Sequence, residues 1–196
     1  RIMEIVGLSG YARSGKDEAA KVLVEEFGFT RVAFADKLRD FLYALNPIVM
    51  ESQFQDQSRF ISTTTIYLQE VIDAHGWDGY KETVYGDEIR RLLQRLGTEA
   101  GRETMWDSIW IDAAFADVPA DAKVVVTDCR FPNEAMSIFK RDGKVWRVKR
   151  AGVGPANAHP SETSLDDWPF DVVLYNDGSL EDYHDQIRRT YNACRI

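Results

Sequence analysis

The 196-residue chain contains few cysteines, few histidines and no long apolar run, and each scarcity excludes a class of protein. Its two cysteines, Cys129 and Cys194, lie far apart and form no C-x-x-C pattern, so neither a disulfide framework nor a zinc site is expected. The sequence shows neither a Ser/His/Asp set nor a pair of isolated carboxylates. It therefore does not indicate an ester or sugar hydrolase. The lack of a signal-peptide pattern and of a membrane-length apolar segment predicts a cytoplasmic protein without membrane partners.

Positive charge is also in deficit. The chain has 24 basic and 32 acidic residues, which gives a net charge of −8. This balance argues against a general nucleic-acid binder, although a local basic pocket could still hold a single nucleotide. The length predicts one domain, with room for a small insert, and the 44% hydrophobic content is sufficient for a packed core.

The most informative segment is a glycine loop near the start of the chain. It reads G-x-x-x-x-G-K followed by Asp, the phosphate-cradling P-loop pattern with Asp in place of the usual Ser or Thr. Backbone N–H groups of such a loop point at phosphate oxygens, and the following helix places its positive end beneath them. The predicted phosphate-binding residues are Gly10, Ala12, Arg13, Ser14, Gly15, Lys16, Asp17 and Glu18.

Apolar strands and amphipathic helices alternate around this loop. The pattern predicts strands over residues 3–8, 30–35, 123–128, 144–149 and 170–175, with the first strand leading into the glycine loop. One predicted helix follows the loop, and a second begins at Asp36 as its N-cap. Three more cover residues 86–96, 104–116 and 179–193. This order indicates an α/β protein with a parallel sheet covered on both faces. Residues 48–85 show no clear hydrophobic periodicity until a helical pattern appears near residues 66–74.

Charged residues follow two later strands. Asp128 ends an apolar strand, where an aspartate at the carboxyl end of a parallel strand can hold Mg²⁺ or cap a turn. Arg130 is placed to bind a phosphate, with an ion pair to Asp128 or Glu134 as the alternative. The basic residues Arg147, Lys149 and Arg150 lead into a Gly/Pro-rich segment, which predicts a lid over residues 150–169; His159 within it is expected to be a surface residue.

The predicted helix over residues 86–96 offers a further candidate surface. Its leucines and Ile89 form one apolar stripe, and Arg91 and Arg95 are expected to face solvent. Arg90, Gln94 and Gly97 share another flank, where a cation, an amide and a gap could hold a phosphate and a base.

Five motifs in order resemble those of the bacteriophage deoxynucleoside monophosphate kinases, within the P-loop kinase superfamily. They are G-x-x-x-S-G-K-D, F-A-D-x-L-R, L-L-Q-x-L-G-T-E-x-G-R, D-x-R-F-x-N-E-A and H-P-S-E, and the resemblance extends from residue 3 to the last helix. The family commonly has Thr after G-K-D, whereas this chain has Glu18. The resemblance implies a three-layer P-loop kinase sandwich with a central parallel sheet. The core would comprise about 1–45 and 118–196, with a helical monophosphate-binding insert at about 46–117 and a lid at about 150–169.

The resemblance also implies an activity and a set of site residues. It implies transfer of the γ-phosphoryl group of ATP to a deoxynucleoside 5′-monophosphate with Mg²⁺, in the host cytoplasm if the chain is phage-encoded. Lys16, Asp128, Arg130 and Arg150 would be catalytic, and Asp17 and Asp128 would hold the metal. Asn176 and Gly178 would join the glycine loop in binding ATP. The monophosphate site would comprise Asp36, Lys37, Arg39, Arg90, Gln94, Arg102, Arg130 and Glu162.

Two other functions remain open on the sequence. One is a small-molecule P-loop kinase that acts on another phosphorylated metabolite, and the other is an ATP-binding regulatory module without turnover. No direct nucleic-acid binding is expected, and relatives suggest a homodimer.

Overall fold

The computed structural model describes residues 3–57, 59–155 and 160–194. In chain order the strands of these ranges are β1 (Glu4–Ser9), β2 (Thr30–Val32), β3 (Ile48–Gln55), β4 (Ile61–Tyr67), β5 (Lys123–Val126), β6 (Lys144–Lys149) and β7 (Val172–Tyr175). The α-helices are α1 (Lys16–Phe27), α2 (Phe34–Leu45), α3 (Leu68–Gly79), α4 (Gly86–Arg95), α5 (Ile109–Phe115), α6 (Pro132–Phe139), α7 (Pro160–Thr163) and α8 (Leu180–Ala193). A 3₁₀ turn covers Tyr80–Glu82, and a π-helical segment covers Leu96–Glu103. None of the helices in these ranges is long and apolar enough to cross a membrane.

The chain forms two contact units. The first comprises the described residues up to Phe34 and from Ile111 onward, and the second is Ala35–Trp110. The sequence placed the insert at about 46–117, whereas the second unit begins with almost the whole of α2. The reason is packing, because Leu42 of α2 joins Val49 and Leu68 in the apolar core of the second unit.

The first unit contains a parallel sheet with β1 at its centre. Its described strands have the order β2-β5-β1-β6-β7, and every pairing between them is parallel. Gly7 of β1 lies opposite Val126 on one side and Val145 on the other. The glycine loop therefore leaves the middle of the sheet at its carboxyl edge, as the α/β prediction requires.

Successive residues of β1 face different layers. Val6 and Leu8 pack with α1 and α8, in a core that includes Leu23, Tyr183 and Ile187. Ile5 points to the opposite layer, where α5 and α6 pack. This alternation, within strands that are apolar on both faces, confirms the prediction of a three-layer α/β fold.

Several predicted element details were wrong. Val24 of α1 and Leu180 of α8 are 36% and 60% exposed and lie outside the core to which both helices contribute. Strand β2 ends at Val32, and α2 already begins at Phe34, whose backbone N–H donates to Asp128 Oδ1 at 2.8 Å. Asp36 therefore lies in the first turn of α2 and is not its N-cap, because the carboxylate of Asp128 supplies the acceptor for the helix end.

The second unit contains an antiparallel hairpin that the sequence did not reveal. Strands β3 and β4 form a two-stranded sheet in the segment where no period was visible, and α3 follows directly. Helix α4 and the π-helical segment complete the unit. The predicted helix over 86–96 is confirmed to Arg95, whereas the one over 104–116 begins only at Ile109.

Two glycines account for the π-helical segment. Gly97 and Gly101 are buried, and the indole Nε1 of Trp110 donates to the carbonyl of Gly97 at 2.9 Å. A Cβ on Gly97 would lie 3.2 Å from Leu38, and one on Gly101 would lie 2.8 Å from the Trp110 ring nitrogen. The gap predicted at Gly97 is thus occupied by Leu38 and does not open to a ligand.

Candidate functional site

The glycine loop has the tight backbone that its sequence predicts. Gly10 and Gly15 adopt φ values of +151° and +111°, which side chains rarely tolerate. A Cβ on Gly10 would lie 2.5 Å from the carbonyl oxygen of Val148, and one on Gly15 would lie 2.5 Å from Asn176 Nδ2. Neighbouring elements thus approach the loop too closely for any residue larger than glycine at either position.

Lys16 lies at the start of α1 with its amine turned back over the loop. Its Nζ donates to the carbonyl oxygens of Gly10 at 2.7 Å and Tyr11 at 2.9 Å. Burial lowers the pKa of Lys16 below its usual range. The positive charge of Arg130 lowers the pKa further, while the carboxylates of Asp17 and Glu162 oppose this effect. The structure therefore brings these four predicted residues into one electrostatic environment.

A buried hydroxyl beside Lys16 lacks a partner. Ser14 is 1% exposed, and its Oγ makes no hydrogen bond within the described part of the chain. An unsatisfied buried hydroxyl is costly unless a ligand supplies its partner. Together with the glycine geometry and the partly buried amine of Lys16, this hydroxyl fits a polyphosphate bound in the loop.

Arg130 and Asp128 follow β5 in different environments. Arg130 Nη1 lies 3.7 Å from Glu162 Oε1, and the Arg130 side chain remains 52% exposed. Its backbone N–H and that of Phe131 donate to Glu134 Oε2 at 2.8 and 3.0 Å, which fixes the turn into α6. The observed ion-pair partner of Arg130 is thus Glu162 in the predicted lid segment.

The acidic residues at the start of α1 differ in their contacts. Asp17 is exposed in the first turn, whereas Glu18 Oε1 lies 2.8 Å from His184 Nε2 of α8. No group of three or more His, Cys, Asp or Glu side chains gathers as a metal site in the ranges described. Mg²⁺ commonly takes one or two carboxylates and completes its shell with phosphates and water, so Asp17 and Asp128 have suitable donor chemistry for such a site.

Arg147 is a candidate that the sequence indicated only as part of the basic segment before the predicted lid. It is 4% exposed in β6, and its Nη2 lies 2.7 Å from Asp166 Oδ1. Its guanidinium carbon lies 4.6 Å from the centre of the Tyr11 ring, and the Tyr11 hydroxyl donates to both Asp166 oxygens at 2.8 Å. The sequence signal for this role was a charged residue in the interior of an otherwise apolar strand, because a buried arginine requires hydrogen-bonding or ionic partners. We call Tyr11, Arg147 and Asp166 the arginine clasp; it links the glycine loop to the chain beyond α7.

A cleft of about 530 Å³ opens beside the clasp. It is lined by the clasp, by Ser14, by the basic residues Lys149 and Arg150, and by apolar side chains that include Trp168 and Phe170. Arg150, predicted as catalytic, is exposed at this cleft. The lining combines cations with aromatic surface, which suits a nucleotide.

The segment after β7 supports the glycine loop directly. Asn176 Nδ2 donates to the carbonyl of Ser14 at 3.0 Å, and the Tyr183 hydroxyl donates to the carbonyl of Gly15 at 3.1 Å. Asp177 Oδ1 accepts from the backbone N–H of Ala151 at 2.6 Å. Gly178 is exposed just before α8. Asn176 thus contacts the backbone of the glycine loop. Two other predicted loop residues, Ala12 and Arg13, are exposed.

The second unit carries the other predicted monophosphate-site residues. Arg39 pairs with Asp36 at 3.7 Å and lies over the ring of Trp77, while Arg90 pairs with Asp87 at 3.1 Å. Burial raises the pKa of Tyr80, and the positive charges of Arg39 and Arg90 partly oppose this rise. The other three residues of this set are Lys37 on α2, Gln94, which is exposed on α4, and Arg102 in the π-helical segment. Arg91 and Arg95 are exposed as predicted.

Two remaining sequence features are His159 and the cysteines. His159 lies outside the described residues. Cys129 is buried, which raises the pKa of its thiol well above the usual value and keeps it protonated. Both cysteines are free thiols.

Sequence relatives identify the family. The profile of the deoxynucleotide monophosphate kinase family matches residues 49–187. A protein of Acanthamoeba polyphaga mimivirus assigned to this activity is 28% identical over 204 residues, which cover 94% of each chain. The deoxynucleotide monophosphate kinase of Escherichia phage RB69 is 25% identical and covers 95% of this chain and 99% of its own.

A solved structure supports the fold. The dephospho-CoA kinase from Campylobacter jejuni aligns over 97% of this chain and 95% of its own, with a TM-score of 0.50 and 11% identity. This likeness concerns the α/β architecture alone. The family profile covers most of the chain, including β5, β6 and the arginines that follow them. The chain therefore belongs to the deoxynucleotide monophosphate kinase family.

Proposed function

We propose that this deoxynucleotide monophosphate kinase uses ATP as donor and binds its triphosphate in the glycine loop. The observation that carries the proposal is the buried hydroxyl of Ser14, which has no partner in the described chain and lies two residues before Lys16, whose amine is partly buried over the loop. A bound phosphate would give that hydroxyl a partner and would favour the protonated form of the amine. The cleft lined by Arg147, Lys149 and Arg150 is the candidate location for the rest of the donor nucleotide.

Phosphoryl transfer requires positioning and positive charge. An oxygen of the acceptor monophosphate attacks the γ-phosphorus, and the bond to the β–γ bridging oxygen breaks to release ADP. The acceptor oxygen is already anionic near neutral pH, so no strong base is needed. Lys16, Arg130 and Arg150 would hold the transferring group and offset its charge. Bound Mg²⁺ would supply further charge neutralisation, with Asp17 and Asp128 as the candidate ligands.

We assign Arg39, Arg90, Gln94 and Arg102, with Asp36 and Lys37, to acceptor binding on the second unit. Arg130 and Glu162 are further candidates on the first unit. Arginine suits this role because its planar fork binds phosphate oxygens in pairs. On binding, the ion pairs Arg90–Asp87 and Arg130–Glu162 would be replaced by contacts between the arginines and the ligand.

Glu18 is expected to act differently from a metal ligand. Its carboxylate contacts His184, and the neighbouring Glu26 pairs with Arg188 at 2.8 Å, so both fasten α1 to α8. We assign Glu18 to support of the loop helix. The enzyme would act in the cytoplasm, where its nucleotide substrates occur, without direct binding to nucleic acid.

A coupled assay with ATP, Mg²⁺ and a panel of deoxynucleoside and nucleoside monophosphates tests this function. We expect ADP formation that depends on a deoxynucleoside monophosphate. ADP formation without any acceptor, or with a sugar or shikimate-like acid alone, would contradict it. The absence of turnover with every acceptor, despite ATP binding, would instead favour a regulatory module.

A further inference from the structure

The carboxylate of Glu162 lies among the cations of the first unit. Its Oε1 is 3.7 Å from Nη1 of Arg130, and its side chain is only 15% exposed. A carboxylate withdrawn from water to this degree requires favourable charges or hydrogen bonds around it. Glu162 also acts on Lys16, since its negative charge raises the pKa of that amine against the opposing effects of burial and Arg130. One anionic side chain thus interacts with both cations.

These two cations are the ones proposed above to hold the transferring phosphoryl group, and the role of Glu162 inferred here rests on that proposed function. A carboxylate repels a phosphate, so Glu162 cannot attract the ligand by its own charge. Carboxylate and phosphate oxygens are, however, alike as acceptors for the N–H groups of arginine. Glu162 therefore has the chemistry of an internal substitute for a phosphate.

The contact between Arg130 and Glu162 is of a kind that a ligand can replace. The Arg130 side chain is 52% exposed, and 3.7 Å is longer than a charge-assisted hydrogen bond. Ion pairs that are long and half exposed to water contribute little to stability and exchange readily. A phosphate that binds Arg130 through two direct hydrogen bonds would therefore displace the carboxylate at a small cost.

The chain that follows Glu162 is held much more firmly. Leu165 is 2% exposed and belongs to an apolar core of the first unit. Asp166 Oδ1 lies 2.7 Å from Nη2 of the buried Arg147 and accepts from the Tyr11 hydroxyl at 2.8 Å. The segment is thus anchored at Leu165 and Asp166, so the Glu162 side chain can change its partner while this anchor stays in place.

We propose that Glu162 is an internal competitor of the nucleotide phosphates at Arg130. Its carboxylate pairs with Arg130 in the free protein, and the γ-phosphate of bound ATP takes its place. Every ligand that uses Arg130 must displace Glu162, so the pair lowers the affinity of the site. A small inorganic anion has no further contacts to offset this cost, whereas a nucleotide also has its base and sugar. Glu162 thereby keeps inorganic anions from occupying the site before a nucleotide arrives.

Isothermal titration calorimetry with the β,γ-imido analogue of ATP and Mg²⁺ tests the proposal without turnover. Glu162→Gln keeps the size of the side chain and removes its charge. We expect this variant to bind the analogue about fivefold more tightly than the wild type, since the analogue no longer competes with an ion pair. A residue with a merely structural role would weaken binding when it is replaced.

Asp167→Asn is the matched control. It removes the same negative charge from an exposed position in the same segment, so it reproduces the change in net charge without altering the pair with Arg130. Its affinity for the analogue should stay within about twofold of the wild type, because an exposed charge is screened by water and salt.

A double-mutant cycle identifies the cation through which Glu162 acts. In an Arg130→Ala background, Glu162→Gln should change the affinity for the analogue by about twofold at most, since the carboxylate then has no guanidinium to occupy. An undiminished gain in that background would overturn the proposal, because Glu162 would then act elsewhere.

Unchanged binding in Glu162→Gln would also overturn it, and weaker binding would assign the carboxylate to the ligand or its metal instead. These failures are distinct from failure of the proposed function. A wild type that does not bind the analogue, or that binds it equally well as Lys16→Ala, would contradict the donor site itself and the role of Glu162 with it. Normal binding that depends on Lys16, without a gain in Glu162→Gln, would overturn the role of Glu162 alone.

Discussion

The two units hold their candidate cations in different ways. In the first unit, Lys16 is desolvated over the glycine loop and Arg147 is 4% exposed between fixed partners. In the second unit, the Arg90 side chain is 54% exposed and pairs with Asp87 one helical turn away. Buried groups are fixed before a ligand arrives, whereas exposed ion pairs contribute little and exchange readily. The proposed donor site would therefore be preformed, whereas the ligand would reorient the cations of the proposed acceptor site.

The largest expected effect is that of Lys16→Ala. We expect turnover to fall about a thousandfold or more, because the positive charge proposed to hold the transferring group is lost. The melting temperature should stay the same or rise, since burial makes the protonated amine unfavourable in the free protein. Lys21→Ala, which alters an exposed residue of the same helix, is the control for steady-state kinetics and calorimetry. Near-normal turnover in Lys16→Ala would remove the basis for a preformed donor site.

Arg130→Ala should have the next largest effect. We expect a loss of about a hundredfold in kcat with little change in melting temperature, because the side chain is half exposed and its pair with Glu162 is long. Arg189→Ala, which removes an 82% exposed arginine from α8, is the matched control. Equal losses of activity and stability in Arg130→Ala would assign the residue a structural role instead.

Asp166→Asn tests the arginine clasp. Removing the negative charge leaves the buried guanidinium of Arg147 without its counter-ion, and we expect a loss of about 2 kcal/mol in the free energy of unfolding. The KM for ATP should also rise, because Tyr11 of the glycine loop shares the same carboxylate. Asp167→Asn changes the exposed neighbour and should alter neither quantity. Denaturant unfolding that does not distinguish the two variants would show that the clasp is not stabilising.

The smallest effect is expected in the second unit. Arg90→Ala should raise the KM for the deoxynucleoside monophosphate about tenfold, which corresponds to one lost phosphate contact, and leave the KM for ATP unchanged. Arg91→Ala is a close control, since Arg91 is also exposed on α4 and also pairs with a carboxylate three residues earlier. If the two variants behave alike, α4 does not present Arg90 to the acceptor.

The predictability of the structure also differs between the units. Strand β6 was predicted to the residue and β1 and β5 to within two, because their apolar runs are buried on both faces. Strands β3 and β4 were missed because most of their residues are polar and exposed, so burial imposes no alternation on them. The π-helical segment falls between the two helices predicted over 86–96 and 104–116 and was not predicted, since it depends on the packing of Leu38 and Trp110 against Gly97 and Gly101.

The candidate site shows the same division. Lys16, Asp17, Arg130 and Glu162 were predicted from motifs, and the structure places them in one electrostatic environment. The roles of Arg147 and Glu18 could not be predicted, because each depends on a partner distant in sequence, Asp166 and His184 respectively.

The sequence alone determined the parallel sheet, the position of the glycine loop and the family, because burial periodicity and motif spacing are local properties of the chain. Only the tertiary structure decided which side chain meets which. It joined Asp128 to the start of α2, Asp166 to Arg147 and His184 to Glu18. It also brought Glu162 to Arg130. These pairings follow from strand register and helix packing across the fold, which no local pattern in the sequence records.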